Sequence, residues 1–260
     1  MLSKITPLIL TYNEASNIER SLQQLTWADR IVIVDSYSTD RTLEIVKTYS
    51  QTTVFKREFD THASQWNFGI EQVETDWILS LDADYVLSET LIEELKYLCP
   101  SNTIDGYFAN FQYCVFNKPL RGTILPPRQL LFRKGHSTYI DDGHTQLLTV
   151  KGESANLLGT VLHDDHKPLS RWLWAQDRYM RIEAKKLTTT PQAELCLGDR
   201  IRKQVILAPF IVFVYCLLFK GGILDGWRGW YYAFQRMFAE TLLSLRLIEI
   251  MTLQASTADR

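Results

Sequence analysis

Two hydrophobic periods alternate through the first hundred residues, and this alternation constrains the fold more than any other feature. Four short runs rich in apolar and β-branched residues predict strands: Ile5 to Leu10, Ile31 to Asp35, Thr53 to Phe55 and Trp77 to Leu81. Between them, apolar residues recur three or four positions apart, as on one face of a helix. Strands that alternate with helices predict an α/β fold, with a mostly parallel sheet and helices on both of its faces.

The helical segments carry start signals. Asn13 precedes the first apolar series and Ser88 precedes the third, so each is predicted to be the N-cap of its helix. The three series are Ile18, Leu22 and Leu25; Trp66, Ile70 and Val73; and Leu91, Leu95 and Leu98.

Polar residues follow three of the predicted strands directly. Leu10 is followed by TYNE, Val34 by DSYSTD and Leu81 by DAD. Ligands of parallel α/β sheets bind beyond the carboxyl ends of the strands. Each segment alone could be a solvated loop or a helix cap, but three together predict one shared site at this edge of the sheet.

The segment WILSLDADYVL places two carboxylates, Asp82 and Asp84, at the end of a predicted buried strand. Their mutual repulsion must be offset by a cation, and oxygen ligands favour Mg²⁺ or Mn²⁺, which also bridge to substrate phosphates. A lone Asp-x-Asp pair is a weak signal, because a solvated turn gives the same pattern. Its position after a buried strand favours the metal interpretation.

The rest of the chain changes character twice. From Gly106 the pattern becomes antiparallel-looking, with runs over 106–116, 128–133 and 147–150, and from Leu169 it becomes helical to about Leu253. We therefore expect an α/β domain over residues 1–168 and a helical C-terminal region over 169–260. The apolar run from Val205 to Phe219 is too short for a transmembrane span.

Composition and charge exclude some classes of protein. With 28 basic and 30 acidic residues, the net charge of −2 gives no positive field for nucleic acid, so no nucleic-acid partner is expected. The four cysteines form no CxxC pair, which indicates a reducing compartment. The N-terminus lacks the pattern of a secretory signal, so we expect a cytoplasmic protein.

Three segments carry a resemblance to a known family: LILTYNEASNIERSL, ADRIVIVDSYSTDRTLEIV and QWNFGIEQVETDWILSLDADYVL. They resemble the nucleotide-sugar-binding half of the inverting glycosyltransferases of family 2. The nearer resemblance is to the bacterial branch that adds a sugar to the lipopolysaccharide core, whose C-terminal pattern is similar to FKGGILDGWRGWYYAF. This resemblance implies that residues 1–168 are a nucleotide-sugar-binding catalytic domain with a GT-A fold, which is Rossmann-like. The helical region over 169–260 would be a C-terminal extension.

The resemblance also implies a nucleotide-sugar donor, usually a uridine or guanosine diphosphate sugar, and a glycan or glycolipid acceptor. By its motifs, the residues that hold the base and ribose are Thr11, Tyr12, Glu14 and Asp35. Asp82 would lie near the ribose and the metal, and Asp84 would ligate the metal directly. A downstream histidine completes the metal shell in some of these enzymes, and His163 is the candidate here. The alternative for His163 is a hydrogen-bonded surface pair with His166.

Three positions depart from the family pattern. Near relatives have a glutamate where this chain has Tyr85, and commonly a basic residue where it has Trp66. Their base lies at the end of a DDxVHE-like segment, where this chain has Gln146, which accepts no proton usefully. Asp141, Asp142 and His144 remain as candidates. We favour Asp142 with His144 as its fallback, and the alternative is a solvated turn.

The leading hypothesis is therefore an inverting transferase that moves a sugar, with a UDP-sugar the favoured donor. It would act in the cytoplasm or at the inner face of the cell membrane. A second is a catalytically weak nucleotide- or carbohydrate-binding protein that lost its base. A nucleotidyltransferase ranks last, because no Gly-rich loop with a lysine is present. The aromatic and basic residues from Trp227 to Arg236 suit a membrane surface, and the alternative is a core helix with a homodimer contact.

Overall fold

A computed structural model describes residues 1–142 and 145–258 of the chain. The described residues form two compact units. The first unit comprises Met1–Pro119 and Leu125–His166, and the second comprises Leu120–Ile124 and the chain from Lys167 onward. The roles that the sequence assigns to residues 1–168 and 169–260 stay predictions.

The first unit is built on one large sheet. Its strands are β1 (Ile5–Thr11), β2 (Ile31–Asp35), β3 (Thr52–Lys56), β4 (Trp77–Asp82), β5 (Tyr85–Leu87), β6 (Ile104–Val115), β7 (Lys118–Pro119), β8 (Arg128–Arg133) and β11 (Glu153–His163). Strands β9 (Ser137–Asp142) and β10 (Thr145–Val150) form a separate hairpin. The strand order is β3-β2-β1-β4-β8-β6-β11-β5, and β7 pairs with β6. The four strands β3, β2, β1 and β4 pair in parallel. Strand β8 pairs antiparallel with both β4 and β6.

Helices pack on both faces of this sheet, which confirms the α/β expectation. The helices are α1 (Ile18–Gln23), α2 (Thr42–Val46), α3 (His62–Gln72) and α4 (Glu89–Tyr97). On one face, Ile9 and Ile33 pack in a core with residues of α1, α2 and α4. On the other, Leu8 and Val32 pack with α3 and with the β9–β10 hairpin. Successive side chains of β1 and β2 therefore enter opposite cores, as the two-residue period of a strand requires.

The two predicted helix caps have different outcomes. Ser88 caps α4 as expected, because its hydroxyl accepts a hydrogen bond from the Leu91 amide at 3.2 Å. The prediction that Asn13 caps the first helix was wrong, since α1 begins at Ile18 and its N-cap residue is Asn17. Asn13 instead has a positive φ of 56°, and its side-chain oxygen accepts from the Thr39 amide at 2.8 Å. An asparagine tolerates this left-handed conformation better than most residues, which explains its place in the loop.

A bulge in β11 fixes α4 against the sheet. The pairing of β11 with β6 shifts register between Asn156 and Thr160, so backbone amides between them leave the ladder. The amides of Leu158 and Gly159 donate instead to the Glu94 carboxylate of α4, at 2.8–3.0 Å. A Cβ on Gly159 would lie 2.4 Å from the Leu91 Cα atom, so only glycine fits this close approach.

We predict that Gly159→Ala lowers the free energy of unfolding by about 1–3 kcal/mol, because the added methyl group must push α4 from the sheet. Gly198→Ala in the second unit is the control, since its nearest neighbour would be the Cys196 sulfur at 3.8 Å. Urea unfolding measures both. Equal midpoints for Gly159→Ala and the unsubstituted protein would show that α4 does not pack as described.

The second unit is helical. It contains α5 (Leu169–Thr189), α6 (Leu197–Arg202), α7 (Leu207–Val214), a π-helical turn (Tyr215–Phe219), a 3₁₀ turn (Gly222–Asp225) and α8 (Trp227–Ala258). Its core joins α5 to α8 through six buried apolar residues: Met180, Ala184, Leu187, Leu195, Leu243 and Leu247. Within the described ranges, no helix is both long and apolar enough to span a membrane.

Candidate active site

Asp35 joins the carboxyl ends of the first two strands. Its carboxylate is fully buried and accepts hydrogen bonds from the Thr11 hydroxyl at 2.9 Å, the Ser38 amide at 2.9 Å and the Ser38 hydroxyl at 2.5 Å. Thr11 and Asp35 are also register partners in the parallel β1–β2 pair. These bonds offset the cost of burying the charge, and they bring two of the predicted nucleotide-binding residues together.

The loop after β1 is fastened to the loop after β2. The Ser38 hydroxyl accepts from the Asn13 amide at 2.9 Å, and the Thr42 hydroxyl accepts from the Glu14 amide at 2.7 Å. Tyr12 directly precedes these two contacts in the chain, and its side chain is 44% exposed. The TYNE segment therefore has a defined backbone with an aromatic ring at the surface, the arrangement in which a ring can stack on a base.

Asp84 and His163 lie side by side at the end of the sheet. Asp84 follows β4, and His163 ends β11, where it pairs with Tyr85 of β5. The His163 Nε2 atom lies 3.1 Å from the Asp84 Oδ2 atom. Burial alone would lower the pKa of His163, but the Asp84 carboxylate outweighs it, with a smaller contribution from Asp82, so the pKa is raised. The sequence placed these two residues 79 positions apart, and the fold brings them into contact.

The residues that follow His163 connect this pair to the loop after β1 and to helix α1. The Asp164 amide donates to the Asp84 carbonyl at 3.1 Å, and the Arg20 guanidinium pairs with the Asp164 carboxylate at 2.6 Å. The Asn17 side-chain amide donates both to Glu14 at 2.9 Å and to Asp165 at 2.8 Å. We call these contacts the Arg20–Asp164 latch. The latch holds three loops at one edge of the sheet.

The alternative reading of His163, a surface pair with His166, does not describe the contacts. The His166 Nε2 atom lies 3.1 Å from Asp164, whereas His163 faces Asp84. The two histidines thus contact different carboxylates. His166 belongs to the latch and His163 to the Asp-x-Asp pair.

Arg128 is a functional candidate that the sequence did not reveal. It lies on β8, and its guanidinium donates to the Tyr85 hydroxyl at 3.0 Å. Tyr85 raises the pKa of Arg128 most, and Asp82 and Asp84 raise it further, against the opposite effect of burial. Burial first, and then Asp82, raise the pKa of the Tyr85 hydroxyl well above its usual range. A half-buried cation therefore lies near enough to interact electrostatically with both carboxylates, in a part of the chain where a single arginine gives no signal.

Trp66, a second departure from the family pattern, has a structural explanation. Trp66 is 2% exposed in α3 and stacks on Tyr139 of β9, with ring centroids 5.3 Å apart and planes at 23°. Tyr139 in turn donates to the Ser80 hydroxyl of β4 at 2.8 Å. A charged side chain would not suit this position, because it would be buried between apolar neighbours.

The candidate bases are placed less fully. A solvated turn was the alternative to a base for Asp141 and Asp142, whereas both residues belong to β9 and pair with β10. The Asp141 carboxylate accepts from the Ala63 amide at 3.2 Å, so it helps to cap the first turn of α3, whose N-cap residue is Thr61. Asp142 ends the strand, and His144 lies outside the described residues. Their catalytic roles stay predictions.

The donor set near Asp84 suits a divalent cation that also binds substrate. No cluster of three or more metal-ligating side chains occurs in the ranges the structure describes. The contact of Asp84 with His163 supplies one oxygen and one nitrogen ligand. Mg²⁺ and Mn²⁺ are commonly held by one or two protein ligands, with water and substrate phosphates in the other positions. These two residues fit that kind of shared site.

Comparison with known proteins identifies the family. Residues 8–151 match the sequence model described as Glycosyl transferase family 2, which is more than half of the chain. The chain belongs to this family. The matched region begins in β1 and includes the strand ends at Thr11, Asp35 and Asp82, and also Asp84.

Curated relatives fall into two groups. An uncharacterized glycosyltransferase of Rickettsia bellii (strain RML369-C) is 37% identical over 107 residues, and one of Rickettsia prowazekii (strain Madrid E) is 33% identical over 109. These matches cover 41% and 42% of this chain, and only 36% and 37% of the relatives. The lipopolysaccharide core biosynthesis glycosyltransferase LpsC of Rhizobium meliloti (strain 1021) is 25% identical over 233 residues, 86% of this chain and 83% of that protein.

Solved structures resemble the chain distantly. Staphylococcus aureus TarS 1–349, solved with UDP-GlcNAc, has a TM-score of 0.48 at 14% identity, over 97% of this chain and 92% of that one. Mycobacterium tuberculosis glucosyl-3-phosphoglycerate synthase, solved with Mn²⁺, UDP and phosphoglyceric acid, has a TM-score of 0.48 at 15% identity, over 75% and 82%.

We predict that Asp164→Asn lowers the free energy of unfolding by about 1–3 kcal/mol. Removing one partner of a buried ion pair costs about 3–5 kcal/mol, and the 25% exposure of Arg20 reduces that cost. Glu44→Gln is the control, because the Arg41–Glu44 pair is exposed on both sides and is worth about 0–1 kcal/mol. Urea unfolding of both variants measures the difference. If Asp164→Asn and Glu44→Gln lower the free energy of unfolding by equally small amounts, the Arg20–Asp164 ion pair does not contribute measurably to stability.

Proposed function

We propose that this protein transfers a sugar from a nucleotide-diphosphate donor to a glycan or glycolipid acceptor, with inversion at the anomeric carbon. The observation that carries the proposal is the Asp84–His163 contact at the carboxyl edge of the sheet, beside the Arg128 guanidinium. Membership of glycosyl transferase family 2 supports the same reaction class.

The nucleoside half of the donor would lie against the ends of β1 and β2. Asp35 and Thr11 are joined there, and the TYNE loop next to them presents Tyr12 and Glu14. A carboxylate accepts hydrogen bonds from base N–H groups and ribose hydroxyls, and an aromatic ring stacks on a base. We propose a uridine diphosphate sugar as the donor, with guanosine diphosphate sugars as the comparison.

The diphosphate half would lie beside Asp82, Asp84, His163 and Arg128. A bound Mg²⁺ or Mn²⁺ would stabilise the negative charge on the departing diphosphate. Asp84 and His163 would hold this ion, and Asp82 would lie near the ribose. Arg128 would add a fixed positive charge, and a guanidinium suits phosphate oxygens because it can donate two parallel hydrogen bonds.

The acceptor hydroxyl needs a base on the face of the sugar opposite the departing diphosphate. We propose Asp142 for this role, with His144 as the second candidate. The Rhizobium meliloti relative is named for lipopolysaccharide core biosynthesis, so a lipopolysaccharide-core glycan is the acceptor that we propose to test first. Such transfer would take place in the cytoplasm, at the inner face of the cell membrane.

We expect Asp84→Asn to abolish divalent-dependent sugar transfer while the melting temperature stays near that of the unsubstituted protein. The substitution keeps the shape of the side chain but removes the charge that attracts the cation. Asp29→Asn is the matched control, because Asp29 is exposed and precedes β2, at the opposite edge of the sheet. Release of UDP in the presence of Mn²⁺ and acceptor is the measurement, and transfer at the parent rate by Asp84→Asn would refute the metal role.

A second expected outcome concerns the base. If Asp142 is the base, Asp142→Asn reduces turnover by about 10²–10⁴-fold with donor affinity nearly unchanged. Asp141→Asn is the control, since Asp141 caps α3 and should affect stability more than turnover. Turnover and donor affinity are measured separately for these variants and for His144→Ala.

Unchanged turnover in both Asp142→Asn and His144→Ala would remove both residues from the mechanism. Donor binding without any transfer, over a panel of acceptors, would favour the alternative of a catalytically weak binding protein. Absence of donor binding would contradict both hypotheses.

A further inference from the structure

The second unit presents an unusually apolar surface on α7 and the turn that follows it. Five side chains spaced three or four positions apart lie on one side of this helix and are 43% to 61% exposed: Leu207, Phe210, Ile211, Val214 and Leu218. The opposite side packs inward, where Ala208, Cys216 and Leu217 are buried. A helix with one apolar side in the core and another in solvent has an exposed surface that needs an explanation.

Helix α8 continues this surface. Trp227, Trp230, Phe234 and Phe238 recur at three- and four-residue spacing and are 40% to 56% exposed. Phe213 of α7 joins the two stripes, because its ring centroid lies 6.0 Å from that of Trp230 and 5.3 Å from that of Phe234. We call the combined surface the apolar face.

The stretch of chain that carries the apolar face has more basic than acidic residues. Between Asp199 and Glu240 the chain has one acidic residue, Asp225, and six basic ones: Arg200, Arg202, Lys203, Lys220, Arg228 and Arg236. The Asp225 carboxylate is 9% exposed and accepts hydrogen bonds from the Arg121 and Gly122 amides, at 2.8 and 3.2 Å. Its negative charge is therefore turned into the protein.

Some of these basic groups are at the surface, and others form ion pairs. Arg200, Lys203 and Lys220 are exposed, whereas Arg202 and Arg236 pair with Glu240 at 2.8 and 3.7 Å. Two basic residues contact aromatic rings. The Lys220 ammonium lies 5.7 Å from the Tyr215 ring centroid, and the Arg228 guanidinium lies 4.6 Å from that of Trp227.

We propose that the apolar face docks on a lipid bilayer that contains anionic phospholipids. Aromatic and aliphatic side chains would enter the boundary between headgroups and acyl chains, while the lysines and arginines reach the negative headgroups. A second copy of the chain fits less well, since pairing the face with itself would bring like charges together. The proposal is independent of the proposed sugar transfer, because bilayer binding requires neither donor nor acceptor.

Flotation with vesicles tests this proposal. The protein should float with phosphatidylcholine vesicles that contain phosphatidylglycerol at low salt, and it should float less with phosphatidylcholine alone. Lys203→Gln with Lys220→Gln should weaken binding to the anionic vesicles by about 25-fold, since each basic residue near such a surface contributes about 1 kcal/mol, or about fivefold.

The apolar contribution has its own pair of variants. Phe210→Ser with Leu218→Ser should weaken binding to the anionic vesicles by about tenfold or more. The matched control is Tyr97→Ser with Leu158→Ser, which removes one aromatic and one leucine side chain, 69% and 89% exposed, from the first unit. The control should float like the unsubstituted protein, and so should Asp84→Asn. Circular dichroism checks that each variant is folded.

Three results would overturn the proposal. The first is an unsubstituted protein that stays in the soluble fraction with anionic vesicles at low salt. The second is undiminished flotation of a folded Phe210→Ser, Leu218→Ser protein. The third is a lipid-free dimer that these two substitutions dissociate, without flotation by the unsubstituted protein, because a second copy would then occupy the face.

Discussion

The structure depends on the parallel pairing of one central strand. Strand β1 pairs with β2 on one side and with β4 on the other, and both pairs continue to the ends of the strands, at Thr11↔Asp35 and Leu10↔Asp82. Parallel strands must end at the same edge of the sheet. Polar segments that are far apart in the chain therefore meet there, and the helices of the two faces bury the strands up to that edge.

The buried and half-buried carboxylates at this edge are held in different ways. Asp35 is satisfied by neutral hydroxyl and amide donors, Asp164 by the Arg20 guanidinium, and Asp84 by a histidine that ends β11. Each arrangement reduces the cost of burying a negative charge. The Asp84 arrangement differs in one respect, because a histidine can exchange its contact with a carboxylate for a shared metal ion. For this reason we propose that the diphosphate of the donor binds there.

The sequence predicted the parallel half of the sheet well, for physical reasons. Ile31–Asp35 and Trp77–Asp82 are short, mainly apolar runs between helical periods, and such runs have few other stable conformations. Strand β11 was missed because Gly159 and the bulge interrupt its alternation. Asn13 was misplaced because an asparagine before a helical period suits a cap and a left-handed loop equally.

The site was predictable only where its residues lie in strand ends. Asp35, Asp82 and Asp84 follow apolar runs directly, so their position on the edge could be read from the chain. Arg128 could not, since its approach to Tyr85 depends on the antiparallel entry of β8 between β4 and β6. The latch was equally hidden, because Arg20 and Asp164 are 144 positions apart and neither stands in a recognisable pattern.

The central claim is that this edge of the sheet binds a nucleoside diphosphate together with a divalent cation. The most direct measurement is the melting temperature with UDP and with GDP, each with and without Mn²⁺, since a ligand that binds only the folded protein raises it. We expect one of the two nucleotides to raise the melting temperature. The rise with this nucleotide and Mn²⁺ together should exceed the sum of the rises that each gives alone. Unchanged melting temperatures with both nucleotides, at millimolar concentration and with Mn²⁺ present, would contradict it.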